Sequence, residues 1–282
     1  MSSVTADLKN QIEILIVLRR FYVTMVLDKI IEVKNEQVAN LKRIRPLQEL
    51  KHAIPDLPWP VNFHDAIGGR ELAIIAEVKR RSPSKGVFRE DFDPVRIALL
   101  YEENGAAAIS VLTDRVFFGG DDAYLAAIKQ HVRLPLLRKD FIIDSYQIYE
   151  TRVLRGDAIL LISGILTNAQ LTEYVSLARS LGLSVICEVH SHVELARALA
   201  SDARIIGINN RNLATFAVDL KTSASLATSI PGDRTIVSES GIRTSRDIDA
   251  LKKAGIHSFL IGETLMQSPN MGQKLRELLG EL

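Results

Sequence analysis

Eight short apolar runs recur along the chain from Leu72 onward, each separated from the next by a stretch of mixed polar and apolar residues. They cover 72–79, 107–113, 134–139, 157–163, 183–188, 204–209, 234–239 and 257–262. Near-continuous apolarity over so few residues predicts strands buried on both faces, as in a parallel sheet. The separators Pro94–Asn104, Gln147–Leu154, Asn168–Leu181 and Ser245–Ala254 have the mixed pattern of amphipathic helices. Gly105, Gly156, Gly182 and Gly255 follow them, where a helix end favours a left-handed residue. Strict alternation of strand and helix implies right-handed crossovers. Eight such units in 282 residues fit an α/β fold of the (β/α)8 TIM-barrel type, for which roughly 250 residues is usual. No GxGxxG follows the first run, which disfavours a dinucleotide-binding sheet.

Ahead of the first run, Leu27, Ile30, Ile31, Val38 and Leu41 recur on one helical face. They predict an extra N-terminal helical segment packed across the barrel, so that residues 25–282 form one domain. Pro55, Pro58 and Pro60 punctuate a loop around Trp59. Residues 1–24 form an extension with no role assigned. Their alternating Ile12, Ile14, Ile16 and Leu18 fit a strand, a helix fits equally, and Met25 is an alternative start. Asp7 and Glu13 disfavour a transit peptide, and no run approaches the roughly 20 apolar residues that span a bilayer. A net charge of +1 draws the chain to neither nucleic acid nor membrane. The single Cys187 excludes an internal disulfide and a cysteine-based zinc site. It is expected as a buried strand residue of a cytoplasmic protein.

Charges stand where the strands end. Lys79 and Lys139 close the first and third runs, Glu77 precedes Lys79, and Glu188 closes the fifth. An unpaired buried charge costs several kcal/mol, and the carboxyl ends of barrel strands are where such enzymes keep their chemistry. Two further segments, Val237-Ser-Glu-Ser-Gly-Ile242 and Phe259-Leu-Ile-Gly-Glu263, put small residues after strands seven and eight. That is the usual phosphate position of a barrel. The basic loop Arg80-Arg-Ser-Pro-Ser-Lys-Gly86 is placed to cover the mouth, and it lacks the interleaved aromatics of a nucleic-acid surface. Within Asn209-Asn-Arg-Asn212, Arg211 is a candidate fork for a substrate carboxylate. His190 and His192 stand near Glu188 without a matching third histidine, so neither metal nor cofactor is expected. The chemistry then falls to acid–base work by Lys79, Lys139, Glu77 and Glu188. Desolvation or nearby cations would lower a lysine pKa toward neutrality, and a flanking carboxylate would do the opposite.

Ile74-Ile-Ala-Glu-Val-Lys-Arg-Arg-Ser-Pro-Ser-Lys-Gly86 resembles the signature of the indole-3-glycerol phosphate synthase family, the ring-closing enzymes of tryptophan biosynthesis. Ile109-Ser-Val-Leu-Thr113, Phe117-Phe-Gly-Gly120, Leu137-Arg-Lys-Asp-Phe-Ile-Ile-Asp144 and Glu188-Val-His190 are similar to later family motifs, in order. Ile208-Asn-Asn-Arg-Asn-Leu213, Val237–Ile242 and Leu260-Ile-Gly-Glu263 complete the set, and the likeness runs from about Met25 to the C-terminus. The resemblance implies conversion of 1-(2-carboxyphenylamino)-1-deoxyribulose 5-phosphate to indole-3-glycerol phosphate, carbon dioxide and water. It implies Lys139 as general acid on the C2′ carbonyl, Glu188 as general base, and Lys79 as substrate contact and proton donor for loss of water. Glu77 and Asn209 would orient this network, with Glu239 contributing. Ser82, Ser240, Gly241, Gly262 and Glu263 would hold the phosphate, the last two through backbone amides. Pro83, Phe118, Phe141 and Leu213 would wall the aromatic ring. Neighbouring tryptophan-pathway enzymes are possible partners. Two departures stand out: Asp121 occupies a position where the family pattern has serine, and residues 1–24 have no counterpart. The competing readings are a phosphoribosylanthranilate isomerase-like barrel, a Schiff-base aldolase and a non-catalytic phospholigand-binding barrel.

Overall fold

The eight apolar runs form β1 (Ala73–Val78), β2 (Ala108–Leu112), β3 (Leu136–Lys139), β4 (Ala158–Ile162), β5 (Ser184–Val189), β6 (Ile205–Asn209), β7 (Thr235–Glu239) and β8 (Ser258–Ile261). All pair in parallel in chain order, and β1 closes the barrel against β8, with Ala73 opposite Ser258. The computed structural model describes residues 27–83, 85–212 and 215–282. The N-terminal extension and Leu213 therefore lie outside the described residues.

Side chains alternate across each strand, and this splits the core in two. Ile75, Leu137, Leu160, Ile186, Ile205, Val237 and Leu260 fill the barrel interior, while Ile74, Ile109, Leu136, Ile159, Ile206 and Phe259 face the helical ring. Burying each such side chain stabilises the fold by about 1.5–3 kcal/mol. The same parity carries Glu77, Lys139, Glu188, Asn209 and Glu239 inward, two residues beyond an apolar layer or, for Asn209, beyond Gly207. The position of the site follows from that register.

The helices are α1 (27–44), α2 (Leu47–Ala53), α3 (Phe63–Ile67), α4 (Pro94–Glu103), α5 (Ala123–Lys129) and α6 (Ser145–Val153). They continue with α7 (Asn168–Ser180), α8 (His192–Ala200), α9 (Lys221–Ala227), α10 (Ser245–Lys252), α11 (Glu263–Met266) and α12 (Met271–Leu279). Phe63 and Ile67 of α3 pack with the interior layer and plug the amino-terminal end of the barrel. Val38 and Leu41 of α1 pack with Leu50 of α2 and with Tyr146, Tyr149 and Val153 of α6. The predicted N-terminal helix thus lies on the helical ring, and its first turn reaches the opposite end of the barrel. One expected helix end differs: after α6 the left-handed residue is Arg155, at φ 67°, and not Gly156. Gly156 is needed for space instead, because a Cβ there would come within 2.7 Å of Thr151 Cγ2.

Candidate active site

The carboxyl ends of the strands open into a cavity of about 540 Å³. Its floor is a charge cluster. Lys139 Nζ lies 3.2 Å from Glu188 Oε2 and 3.7 Å from Glu239 Oε2. Lys79 Nζ lies 2.5 Å from Glu77 Oε2. Asn209 Nδ2 donates to Glu188 Oε1 at 3.2 Å. His190 Nε2 stands 3.4 Å from that same oxygen, and its Nδ1 lies 3.2 Å from Glu194 Oε2 on α8. The histidine is thus engaged by two carboxylates. Among the described residues, no group of three or more His, Cys, Asp and Glu side chains is arranged to hold a metal ion.

The charges settle into a definite pattern. Burial pulls the Lys139 pKa down, but the Glu188, Glu239 and Glu77 carboxylates outweigh it, and the net shift is upward. Lys139 is therefore an ammonium at neutral pH, held charged rather than loosened. Burial works against the Glu188 carboxylate, yet Lys139, His190 and the Asn209 hydrogen bond hold it below the usual carboxylate range. For Glu239, burial dominates; Lys139 opposes it, but the like charges of Glu188 and Glu77 add to it, and the carboxyl is pushed up to about 8. With Glu239 protonated, Glu188 is the ionised partner of the Lys139 ammonium.

A pH dependence follows. An ordinary glutamate titrates near 4.3, so between about pH 4.3 and 8 the folded chain retains a proton at Glu239 that the unfolded chain has lost. The contribution of this group to stability therefore falls as pH rises through that window. Glu239→Gln removes the titration. The Tm of the variant should gain on wild type from pH 6 to pH 8 in thermal melts. A gap that does not change with pH would contradict the assignment.

Two glycines make room for these acids. A Cβ at Gly262 would come within 2.0 Å of Glu77 Oε2, and one at Gly207 within 2.4 Å of Glu239 Oε1. Gly207 was not anticipated, although a glycine inside an apolar strand signals close approach of another group. At one end of the cavity, Ser240 and Gly241 both adopt left-handed backbone, φ 66° and 85°. A non-glycine residue so placed is costly unless its surroundings enforce it. Asn210 does so, with Nδ2 donating to Ser238 Oγ, Glu239 O and Ser240 O at 2.9, 3.0 and 3.1 Å. Thr264 Oγ1 donates to Ile242 O at 2.6 Å and ties this loop to α11. The Glu263 carboxylate is engaged with Arg211 Nη2 at 3.1 Å, so Arg211 already has an acidic partner. Arg243 and Lys274 also line the cavity; their isolated positions in sequence gave no signal.

The other end is apolar. The Phe118 and Phe141 rings stand 6.1 Å apart at 38°, and Pro83, Leu112, Leu160, Ile162, Leu27 and Ile30 complete the wall. Ser82 reaches the cavity from a short hairpin in which Arg81–Ser82 pairs with Gly86–Val87. Asp121 serves its own loop: Oδ1 accepts from Ala123 N at 2.9 Å and pairs with Arg115 at 2.8 Å. Cys187 faces the helical ring, and burial pushes its thiol up to about 12, so it supplies no nucleophile. Every anticipated site residue except Leu213, which is outside the described residues, lines this one cavity.

The sequence model of one protein family, Indole-3-glycerol phosphate synthase, matches residues 27–278. The indole-3-glycerol phosphate synthase of Alkaliphilus metalliredigens (strain QYMF) is 48% identical over 255 residues, covering 90% of this chain and 98% of that protein. The enzyme of the same name from Aromatoleum aromaticum (strain DSM 19018 / LMG 30748 / EbN1) is 45% identical over 259 residues, covering 90% and 99%. A crystal structure of 3-hexulose-6-phosphate synthase superposes with TM-score 0.60 over 75% of this chain and 100% of its own, at 13% identity, a likeness of fold alone. Barrel, cavity and sequence agree, and the chain belongs to the indole-3-glycerol phosphate synthase family.

Proposed function

We propose that this barrel closes the indole ring of 1-(2-carboxyphenylamino)-1-deoxyribulose 5-phosphate, the reaction for which its family is named, with Lys139 as the acid that starts it. One observation carries the reading. A charged lysine, held against the Glu188 carboxylate with the Glu239 carboxyl group on its other side, stands on the floor of a cavity that is apolar at one end and lined by small-residue loops at the other. The aryl ring rests against the wall of Phe118, Phe141 and Pro83, and the phosphate meets Ser82, the Ser240–Gly241 turn and the start of α11. Fixing both ends brings the aromatic carbon against the C2′ ketone, which turns a difficult encounter into an intramolecular step. Lys139 donates to the carbonyl oxygen as negative charge develops there. The carboxylate then leaves as carbon dioxide. Lys79 protonates the departing hydroxyl, Glu188 removes the ring proton, and water is lost. Glu77 holds Lys79, and Asn209 holds Glu188.

A Schiff-base route needs a neutral amine, and the carboxylates around Lys139 keep it protonated. The buried single cysteine suits a reducing cytoplasm, and no helix among the described residues is long and apolar enough to cross a membrane. Neighbouring enzymes of tryptophan biosynthesis are the natural partners. Purified protein given the substrate in chelator-containing buffer should produce indole fluorescence and carbon dioxide in equal amounts. Saturable substrate binding without either product would leave a phospholigand-binding barrel instead.

A further inference from the structure

Lys34 belongs to none of the motifs at the strand ends, yet it is 5% exposed. It lies on α1, one turn beyond Ile30 and two beyond Leu27, both of which line the apolar end of the cavity. Its Nζ stands 2.8 Å from Asp140 Oδ1 and 3.1 Å from Asp114 Oδ2. Neither acid is idle. Asp114 Oδ1 accepts from Phe117 N at 2.8 Å and from Phe118 N at 3.2 Å. Asp140 Oδ1 accepts from Phe141 N at 2.8 Å, and its Oδ2 accepts from Thr113 Oγ1 at 2.7 Å. One ammonium therefore sits at a fork, and each arm grips the backbone of one of the two aromatic residues whose rings pack together on the cavity wall.

Anchoring α1 does not require this charge. Val38 and Leu41 already pack the helix against α2 and α6, and an apolar residue at position 34 would avoid the desolvation that a buried ion pair carries. What the charge adds is geometry: it couples the loops after β2 and β3 to each other and to the helix that walls the same end of the cavity.

We propose that Lys34 is a positioning residue for the aromatic end of the substrate, setting the separation of Phe118 and Phe141 and seating Leu27 and Ile30 against the ring. The proposal rests on the ring-closing reading of the cavity. Because the substrate spans both ends, loosening the aryl wall weakens its hold on the ring and leaves the phosphate end intact. Lys34→Met keeps the stem and removes the ammonium. Its substrate KM should rise at least about tenfold, while the Ki of inorganic phosphate, which occupies only the other end, stays within about twofold of wild type. Amide exchange at Phe117, Phe118 and Phe141 should quicken at least about tenfold, with the amides of the loop after β7 unchanged. If Lys34→Met does not fold, Lys34→Gln, which can still donate to one acid, carries the same measurements. Unchanged exchange at the three phenylalanines overturns the proposal whether or not the protein turns over. So does a KM that moves only in step with phosphate Ki and Tm. An inactive wild-type protein would overturn the ring-closing reading and, with it, the assignment of Lys34 to the aryl end of that substrate, whatever the exchange pattern.

Discussion

Lys139→Ala should lower kcat at least about a hundredfold, with substrate KM changed by no more than a few-fold. General acid catalysis at one site commonly contributes a factor of about 100–10,000. Lys79, the other lysine on the floor among the described residues, is held by Glu77 on β1 and in the proposed mechanism serves the later proton transfer. On the proposed reading, the substrate's grip comes instead from the two ends of the cavity, which this substitution leaves alone. A group that acts in the transition state alone shows itself in kcat. Steady-state kinetics on the purified variant checks this, with a thermal melt to confirm the fold. Removing the ammonium also leaves Glu188 and Glu239 without their shared cation, so the variant's melt should itself become more sensitive to alkaline pH. If KM alone rises and kcat survives, Lys139 binds the substrate and the acid lies elsewhere.

Glu188→Gln should lose turnover on a similar scale, about a hundredfold or more, and for a complementary reason. Glutamine preserves the shape and its one acceptor oxygen can still meet either Lys139 or Asn209, but it cannot accept the ring proton. The geometry makes Glu188 the ionised acid of the pair: Lys139 stands on one of its oxygens and Asn209 and His190 on the other. Glu239 has the ammonium at a longer 3.7 Å, and its Oε1 is buried with no hydrogen-bond partner among the described residues. Two neighbouring glutamates in unlike surroundings thus divide into an ionised carboxylate and a neutral acid, a division that suits acid–base chemistry in one pocket. A near-wild-type kcat for Glu188→Gln would remove it from the mechanism and turn attention to Glu239.

Much of this was legible in the sequence. The apolar runs located all eight strands, and period-two alternation within them places Glu77, Lys139, Glu188, Asn209 and Glu239 on one interior surface. The family motifs tied them to a reaction. What stayed hidden depends on contacts between distant segments. Lys34 precedes the barrel, on a helix whose apolar face drew attention to its neighbours. Asp114 and Asp140 look in sequence like loop acids, and only the register of β2 against β3 brings both to one ammonium. Asn210 beside Asn209 faces the other way along the strand, so its role in bracing the Ser240 turn could not be separated from that of its neighbour. The direction of the Lys139 shift was also open: burial lowers it and carboxylates raise it, and only their number and distance decide. Three acids outweigh burial.

The assignment of the two lysines to separate proton transfers is tested most directly by the timing of the two products. In single-turnover mixing with rapid quench, carbon dioxide and indole product are counted together for wild type, Lys79→Met and Lys139→Met. Lys139→Met should release neither at an appreciable rate, because the ring never closes. Lys79→Met should release carbon dioxide well ahead of indole, because the decarboxylated intermediate waits for a proton to shed its hydroxyl. Carbon dioxide and indole rising in step at the wild-type rate in Lys79→Met, or carbon dioxide release persisting in Lys139→Met, would contradict the account.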